Sequence, residues 1–376
     1  MTPMEALRKT VERWMQRADR GRFFSPRTIL AGLGAVYGGA MALRADLYCR
    51  GVLARRRLPC KVVSVGNLTL GGTGKTPLTM ELARRIQAMG WRVAVVSRGY
   101  RGSAEGRGAV VSDGRRPLLS AAEAGDEPYL IARRLDGVPV VVGKDRWAAG
   151  MTAVARFSSQ VVILDDGFQH LRLKRDLDLL LIDARAPVGN GLVFPGGRLR
   201  EPLRAARRCH AVVRVSRGEK GGDAARIPNN LARRPHFNLA LNAFPVEVRF
   251  GEAEARPGAS AAAYLAGRRS VVFAGVADNA RFFEDVGRLG AEVVATFGFR
   301  DHHPYRRSDL RRVLAAARQA GAGCLVTTAK DAVRLEALGP LNLPLVVIDL
   351  APVWNDGGQG IQALLERRLG RPVSRT

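Results

Sequence analysis

The residues with the clearest chemical content are Gly71, Gly72, Gly74, Lys75 and Thr76, in the stretch VVSVGNLTLGGTGKT from Val62 to Thr76. A β-branched apolar run, Val62-Val63-Ser64-Val65, precedes them, and a helical pattern begins near Pro77 and Leu78. Strand, glycine loop and helix in that order are the setting a phosphate-binding loop requires. The glycines let successive backbone N–H groups turn inward toward phosphate oxygens. Lys75 supplies a point charge for β- and γ-phosphates, and the Thr76 hydroxyl is suited to Mg²⁺. The helix N-terminus points its positive end at the same anion. The nucleotide-contacting candidates are therefore Thr69, Leu70, Gly71, Gly72, Thr73, Gly74, Lys75 and Thr76. Thr69 stands where the pattern G-x-x-x-x-G-K-[ST] has its first glycine, so the entry to the loop differs from the common form.

Carboxylates form the second group. Val161-Val162-Ile163-Leu164 runs into Asp165-Asp166, the form of a strand that delivers an Asp to a Mg²⁺ ion, and Gln169 and His170 follow closely. Gly125-Asp126-Glu127-Pro128 precedes a helical pattern. Capping of that helix is the plain reading of the acidic pair. At the ligand edge of a sheet the same two groups could serve as general base and metal ligand. Asp301-His302-His303 holds the one histidine pair of the chain. Neighbouring side chains diverge, so a single His sharing a proton with a carboxylate suits it better than a metal site. Arg98, Arg101, Arg198 and Arg200 lie in glycine-containing loops, either as fork-shaped donors suited to phosphate or as solvated or salt-bridged surface groups.

These groups need a frame, and the apolar pattern supplies one. From Lys61 to about Val215, short β-branched runs (Val62–Val65, Val93–Ser97, Val110–Ser112, Val138–Val142, Val161–Leu164, Leu177–Ile182, Ala211–Val215) alternate with helical segments. That rhythm predicts a parallel, doubly wound α/β sheet with the phosphate loop after its first strand. Gly218–Arg234 reads as a linker, and from His236 a second, smaller α/β lobe follows. The expected division is 1–50, 51–235 and 236–376, with a ligand cleft between the lobes.

The N-terminal part is different in kind. Residues 1–27 carry a basic amphipathic pattern, and Thr28–Leu43 holds sixteen uncharged residues between Arg27 and Arg44. A helix of that length reaches about 24 Å, short of the roughly 30 Å hydrocarbon core. The expectation is a helix lying in or partly entering one leaflet, with a buried, glycine-rich core helix as the alternative. A net charge of +26 over 376 residues, nearly all from arginine, favours anionic partners: nucleic acid, an anionic membrane face or phosphorylated substrates. No nucleic-acid-binding motif accompanies the charge, so nucleic acid is not expected, and no obligate protein partner is evident. Four scattered cysteines without a C-x-x-C pair fit a reducing compartment and no metal or disulfide framework.

Taken together, VGNLTLGGTGKTP, SRGYRG, GDEP, VILDDGFQH, RLREP, the DHHPY segment and TTAKDAVRL resemble, in order, the tetraacyldisaccharide 4′-kinase family. The resemblance runs from about Arg27 to Leu350, nearly the whole chain. It implies ATP and Mg²⁺ as cofactors and transfer of the γ-phosphate to the 4′-hydroxyl of an acylated glucosamine disaccharide 1-phosphate, forming lipid IVA. It also implies a peripheral or monotopic place on the cytoplasmic, anionic face of the bacterial inner membrane, and two α/β lobes joined by a β-ribbon. Residue by residue, it implies nucleotide contacts at Lys75 and Thr76, with Lys75 also catalytic. Asp126 is implied as the base and His302 as its partner. Thr76, Glu127, Asp165 and Asp166 are implied as Mg²⁺-site positions. Ala329 and the turn Ala277-Asp278-Asn279-Ala280 depart from the family pattern, both in the C-terminal part. A switch-type ATPase with K-G-G-x-G-K-[ST] is the nearest rival, but Leu70 occupies its extra lysine position. A non-enzymatic basic binding protein would leave the loop and both acidic motifs unused.

Overall fold

The computed structural model describes residues 26–218, 228, 231–250, 253–257 and 259–372. The basic stretch before Pro26 and most of the expected linker at 218–234 lie outside the described residues.

One hydrogen-bonded sheet of thirteen strands carries the molecule. Its N-terminal half holds β1 (Lys61–Asn67), β2 (Val93–Ser97), β3 (Ala109–Ser112), β4 (Val140–Val142), β5 (Val161–Asp165), β6 (Leu177–Asp183) and β7 (Ala211–Arg217). The C-terminal half holds β8 (His236–Phe250), β9 (Ala253–Pro257), β10 (Arg269–Ala274), β11 (Glu292–Gly298), β12 (Cys324–Thr328) and β13 (Leu345–Trp354). The order is β11-β10-β12-β13-β8-β7-β6-β1-β5-β2-β4-β3, with β9 paired to β8. The helices are α1 (Pro26–Cys49), α2 (Lys75–Ala88), α3 (Ala121–Ala124), α4 (Asp126–Arg134), α5 (Arg146–Phe157), α6 (Ala259–Leu265), α7 (Asn279–Arg288), α8 (Arg307–Gln319), α9 (Ala329–Leu335) and α10 (Gln359–Leu369).

Strands β1, β2, β4, β5, β6 and β7 are parallel, as their alternation with helices requires, and β1, β2 and β5 are covered on both faces. The edge strand β3 departs from the expected parallel order and runs antiparallel to β4. The expected boundary at 235/236 falls at the start of β8, whose fifteen residues pair parallel with β7 and antiparallel with β13. Six strand steps separate β5 from β12. At a twist of about 20–25° per step the sheet turns through roughly 120–150°. A twist of that size offsets the reversal of direction at β8–β13, and Lys330, just after β12, lies within electrostatic reach of Asp165 at the end of β5. Apolar contacts close the joint: Leu130 of α4 is buried with Val271, Leu335 and Val333 of the C-terminal half.

Helix α1 is longer than the apolar stretch predicts. It runs 24 residues, and its segment Thr28–Cys49 is long and apolar enough to cross a membrane. It continues past Arg44, whose guanidinium lies over the ring of Tyr48, one turn on, at 5.5 Å. Small residues spaced four apart, Gly34, Gly38 and Ala42, are buried, while Ile29, Leu33, Val36 and Leu43 are exposed. The small face rests on the loop before β7. A Cβ on Gly34 would lie 2.3 Å from the Val193 carbonyl oxygen, and one on Gly38 3.2 Å from Val193 Cγ2. Gly34→Leu should therefore prise α1 off the loop, with an expected loss of about 1–3 kcal/mol. Thermal unfolding in detergent checks this against Gly39→Leu, whose Cβ meets nothing within 4 Å and which should not lower the midpoint.

Candidate active site

The loop after β1 ends at Gly74, which adopts a left-handed conformation (φ 81°) and starts α2 without any side-chain cap. Only glycine fits there, since a Cβ would fall 2.4 Å from Leu241 Cδ1. The first-turn N–H groups of α2 are thus left for an anion. The Thr73 hydroxyl is buried in the loop with no hydrogen-bond partner. Entry to the loop differs as Thr69 predicts: the segment pairs with the chain at Leu199, and Leu70 N donates to the Arg198 carbonyl at 2.7 Å. Arg198 returns a guanidinium to the Leu70 carbonyl at 2.9 Å, and Arg217 donates to the Gly72 carbonyl at 3.2 Å. Cationic side chains from elsewhere in the chain thus border a loop that lacks the extra lysine of the rival pattern.

Lys75 donates from Nζ to Asn67 Oδ1 at 3.2 Å and lies 3.7 Å from Asp166 Oδ1. Burial pulls its pKa below the ordinary lysine value, against the opposing fields of Asp166, Glu127 and Asp165. The acidic pair after β5 splits its tasks. Asp165, in register with Val65 of β1, is buried and accepts from Thr79 Oγ1 at 3.0 Å and Ser97 Oγ at 3.4 Å. Asp166, left-handed at φ 54°, faces the cleft and pairs with Arg200 at 2.9 Å. Burial, then the negative fields of Glu127 and Asp166, push the Asp165 carboxyl up to about 7. Burial also raises Asp166, but Lys75 and Arg200 outweigh it and hold that carboxyl below the usual range. Gln169 donates to the Asn67 carbonyl at 2.9 Å. Burial, reinforced by nearby arginines, lowers His170 to about 4, so its imidazole is neutral near pH 7.

Opposite this group, Gly125 (φ 88°) passes close to Tyr100, where a Cβ would meet the Tyr100 carbonyl oxygen at 2.8 Å. That turn aims Asp126 and Glu127, the first residues of α4, at the C-terminal half of the sheet. Asp126 Oδ2 lies 3.1 Å from His302 Nδ1 and accepts from Arg334 Nε at 2.6 Å. Glu127 pairs with Lys330. Burial raises Asp126, and the bonds from His302 and Arg334 overcome it, leaving the carboxyl below its ordinary value. Lys330 does the same for Glu127 against burial. Three of the four non-glycine residues with positive φ among the described residues, Arg101, Asp166 and His302, sit around this cleft. His303 turns away to Asp309 at 3.0 Å, so the two histidines diverge.

Lys75, Asp165 and Asp166 on one side and Asp126, Glu127 and His302 on the other therefore converge, Lys75 and Asp165 each lying in the field of Glu127, while Thr76 is buried next to Lys75 at the start of α2. Sequence reasoning missed Lys330 and Arg334. They are four apart on α9, hence on one helical face, and a Lys-x-x-x-Arg spacing just after a strand was the available signal. The two departures in the C-terminal part have structural explanations. Ala329 is buried at the start of α9, Asp278 caps α7, and Asn279 ties Val276 to Phe299.

The residues present fit a nucleotide and a divalent cation. The unpartnered Thr73 hydroxyl, the uncapped α2 and the Lys75 amine suit phosphate oxygens. Among the described residues no three acidic or imidazole groups form a closed cage. Mg²⁺ in such sites is held by one or two carboxylates together with phosphate oxygens and water, so none is needed. The raised Asp165 carboxyl, crowded by Glu127 and Asp166, is a group whose ionised form a dication would favour.

Comparison with known proteins agrees in extent and in shape. The family model described as tetraacyldisaccharide-1-P 4′-kinase (LpxK) matches residues 26–369. The tetraacyldisaccharide 4′-kinase of Geobacter metallireducens is 47% identical over 309 residues, 82% of this chain and 88% of the relative. That of Desulfatibacillum aliphaticivorans is 40% identical over 354 residues, 93% and 94% of the two chains. A crystal structure of the "apo" form of LpxK from Aquifex aeolicus in complex with ATP superposes with a TM-score of 0.73 at 30% identity, covering 92% of this chain and 100% of that one. A match of this reach, on a chain whose glycine loop and acidic turn meet in one cleft, shows that the protein belongs to the tetraacyldisaccharide 4′-kinase (LpxK) family.

Proposed function

We propose that this protein transfers the γ-phosphate of ATP to the 4′-hydroxyl of a tetraacylated glucosamine disaccharide 1-phosphate, forming lipid IVA. What supports the reading is the Lys75 amine 3.7 Å from Asp166 behind the glycine loop, and Asp126, 3.1 Å from His302, next to Glu127, whose charge reaches Lys75. Phosphoryl transfer asks the protein mainly for positioning and charge neutralisation. The loop Thr69–Thr76 cradles the phosphates through its N–H groups, and the Lys75 amine neutralises the γ-phosphate. Thr76, with carboxylates drawn from Glu127, Asp165 and Asp166, would hold Mg²⁺, which would offset the charge of the phosphates. Asp126, paired with His302, accepts the proton as the acceptor O–H bond breaks. The oxygen bonds to phosphorus, and ADP departs with the electrons of the broken P–O bond.

An acylated substrate keeps its chains in a bilayer, so the enzyme has to work at the membrane surface. The exposed side chains of Ile29, Leu33, Val36 and Leu43 on α1, with Leu192 and Phe194 beside it, present an apolar face to lipid. The net charge of +26 suits the anionic cytoplasmic face of the inner membrane. We therefore assign the protein a peripheral or monotopic place there.

Lys75→Ala should lower turnover of the disaccharide by about 10²–10³-fold; near-normal phosphorylation would remove the loop from the reaction. Asp126→Asn should reduce kcat by roughly 10²–10⁴-fold with little change in ATP affinity, and the reverse pattern would make Asp126 a nucleotide ligand. Because only an ionised Asp165 serves Mg²⁺ and its pKa lies at about 7, the Mg²⁺ concentration for half-maximal rate should climb as pH falls from 8 to 6. A flat Mg²⁺ requirement would exclude Asp165 from the metal. Deleting residues 1–43 should move the protein from the membrane to the soluble fraction on flotation, and continued flotation would put the anchor elsewhere.

A further inference from the structure

Arg334 is engaged more completely than charge neutralisation of Asp126 alone requires. Its Nε donates to Asp126 Oδ2 at 2.6 Å, and its Nη2 lies 3.1 Å from His302 Nδ1. The other side of the guanidinium is held by Asp331, 2.8 Å from Nη1, with the Gly275 carbonyl at 3.4 Å. Asp331 is itself fully buried and receives the Thr328 hydroxyl at 2.7 Å and Gly275 N–H at 3.0 Å. The Arg334 side chain is 8% exposed. A planar fork clamped on one side in this way presents its other side in a fixed orientation.

The consequence falls on the carboxylate. Both Arg334 and His302 address Oδ2 of Asp126, and among the described residues no hydrogen bond engages Oδ1. Holding one oxygen by two donors stops rotation of the carboxylate and leaves the other oxygen open to the cleft. His302 Nδ1 is equidistant, at 3.1 Å, from Asp126 Oδ2 and Arg334 Nη2. Protonated at Nδ1, it donates to Asp126; without that proton it accepts from Arg334. The imidazole is tethered in either state.

We propose that Arg334 is a positioning residue for the phosphoryl transfer, fixing Asp126 and His302 relative to one another with Asp126 Oδ1 turned to the acceptor hydroxyl. The inference rests on the reading of Asp126 as the base. Lys330, four residues earlier on α9, pairs with Glu127 and touches neither member of this pair.

The test compares Arg334→Gln, Arg334→Lys and Arg133→Gln in the full chain, with Asp126→Asn alongside. Arg133 joins α4 to Glu336, just after α9, at 3.3 Å on the rim, and has no contact with Asp126. Arg334→Gln should lower kcat by about 10²-fold, the size of effect that misplacement of a reacting group produces, while KM for ATP and for the disaccharide stays nearly constant. Arg334→Lys, which keeps the charge opposite Asp331 and guards against simple misfolding, should fall between the two because one ammonium cannot hold both partners. Arg133→Gln should leave kcat unchanged. Wild-type kcat in Arg334→Lys, a rise in KM alone in Arg334→Gln, or an equal kcat loss in Arg133→Gln would overturn the proposal. An active Asp126→Asn would overturn the base assignment as well, so the two failures are told apart.

Discussion

Two ion pairs, Glu127 with Lys330 and Asp126 with Arg334, make a single site out of the two halves of the sheet. Each joins the first turn of α4 to one face of α9, and each partner comes from the opposite half. Two acidic side chains so close together at a half-buried helix start repel one another and lose hydration. Cations one helical turn apart compensate both at once. The joint is therefore held by charge where it faces the cleft and by Leu130 and its apolar neighbours where it does not.

The same balance extends around the cleft. Lys75 and Arg200 face Asp166, and Arg198 and Arg217 border the glycine loop. A site built to receive a polyphosphate has to carry excess positive charge, yet a nucleophilic hydroxyl has to be relieved of its proton nearby. The chain separates these demands spatially. Lys75 at the start of α2, Arg198 and Arg200 before β7 and Arg217 at its end cluster in the N-terminal half, and Asp126, the carboxylate proposed to accept the proton, lies across from them on α4. Asp165 is buried behind both, held by Thr79 and Ser97.

How much of this was legible in the chain depends on the range of each interaction. The glycine loop could be read because its strand, turn and helix are contiguous, and the apolar runs of β1, β5 and β6 because both faces are covered. Strand direction was not legible: β3 and β13 are apolar runs like the others, and only their neighbours make them antiparallel. Asp126 and His302 are 176 residues apart, and their pairing was available only through likeness to a family. Lys330 and Arg334 escaped notice because nothing local distinguishes a helix-face cation that meets a partner some 200 residues away from one that meets water. Helix α1 was read as ending at Leu43 because the charge of Arg44 looks like a stop, whereas the helix runs on to Cys49 with Arg44 over Tyr48.

The glycine stripe of α1 has a mechanical corollary. The loop it leans on at Val193 is the one whose next turns supply Arg198 to the glycine loop and Arg200 to Asp166. Five residues of chain connect the support of the apolar-faced helix α1 at Val193 to Arg198, which braces the glycine loop. With α1 seated in lipid as proposed, this short, internally hydrogen-bonded strut would set the height of the site above the acyl chains. A substrate anchored in the same lipid would find its sugar presented at a constant depth.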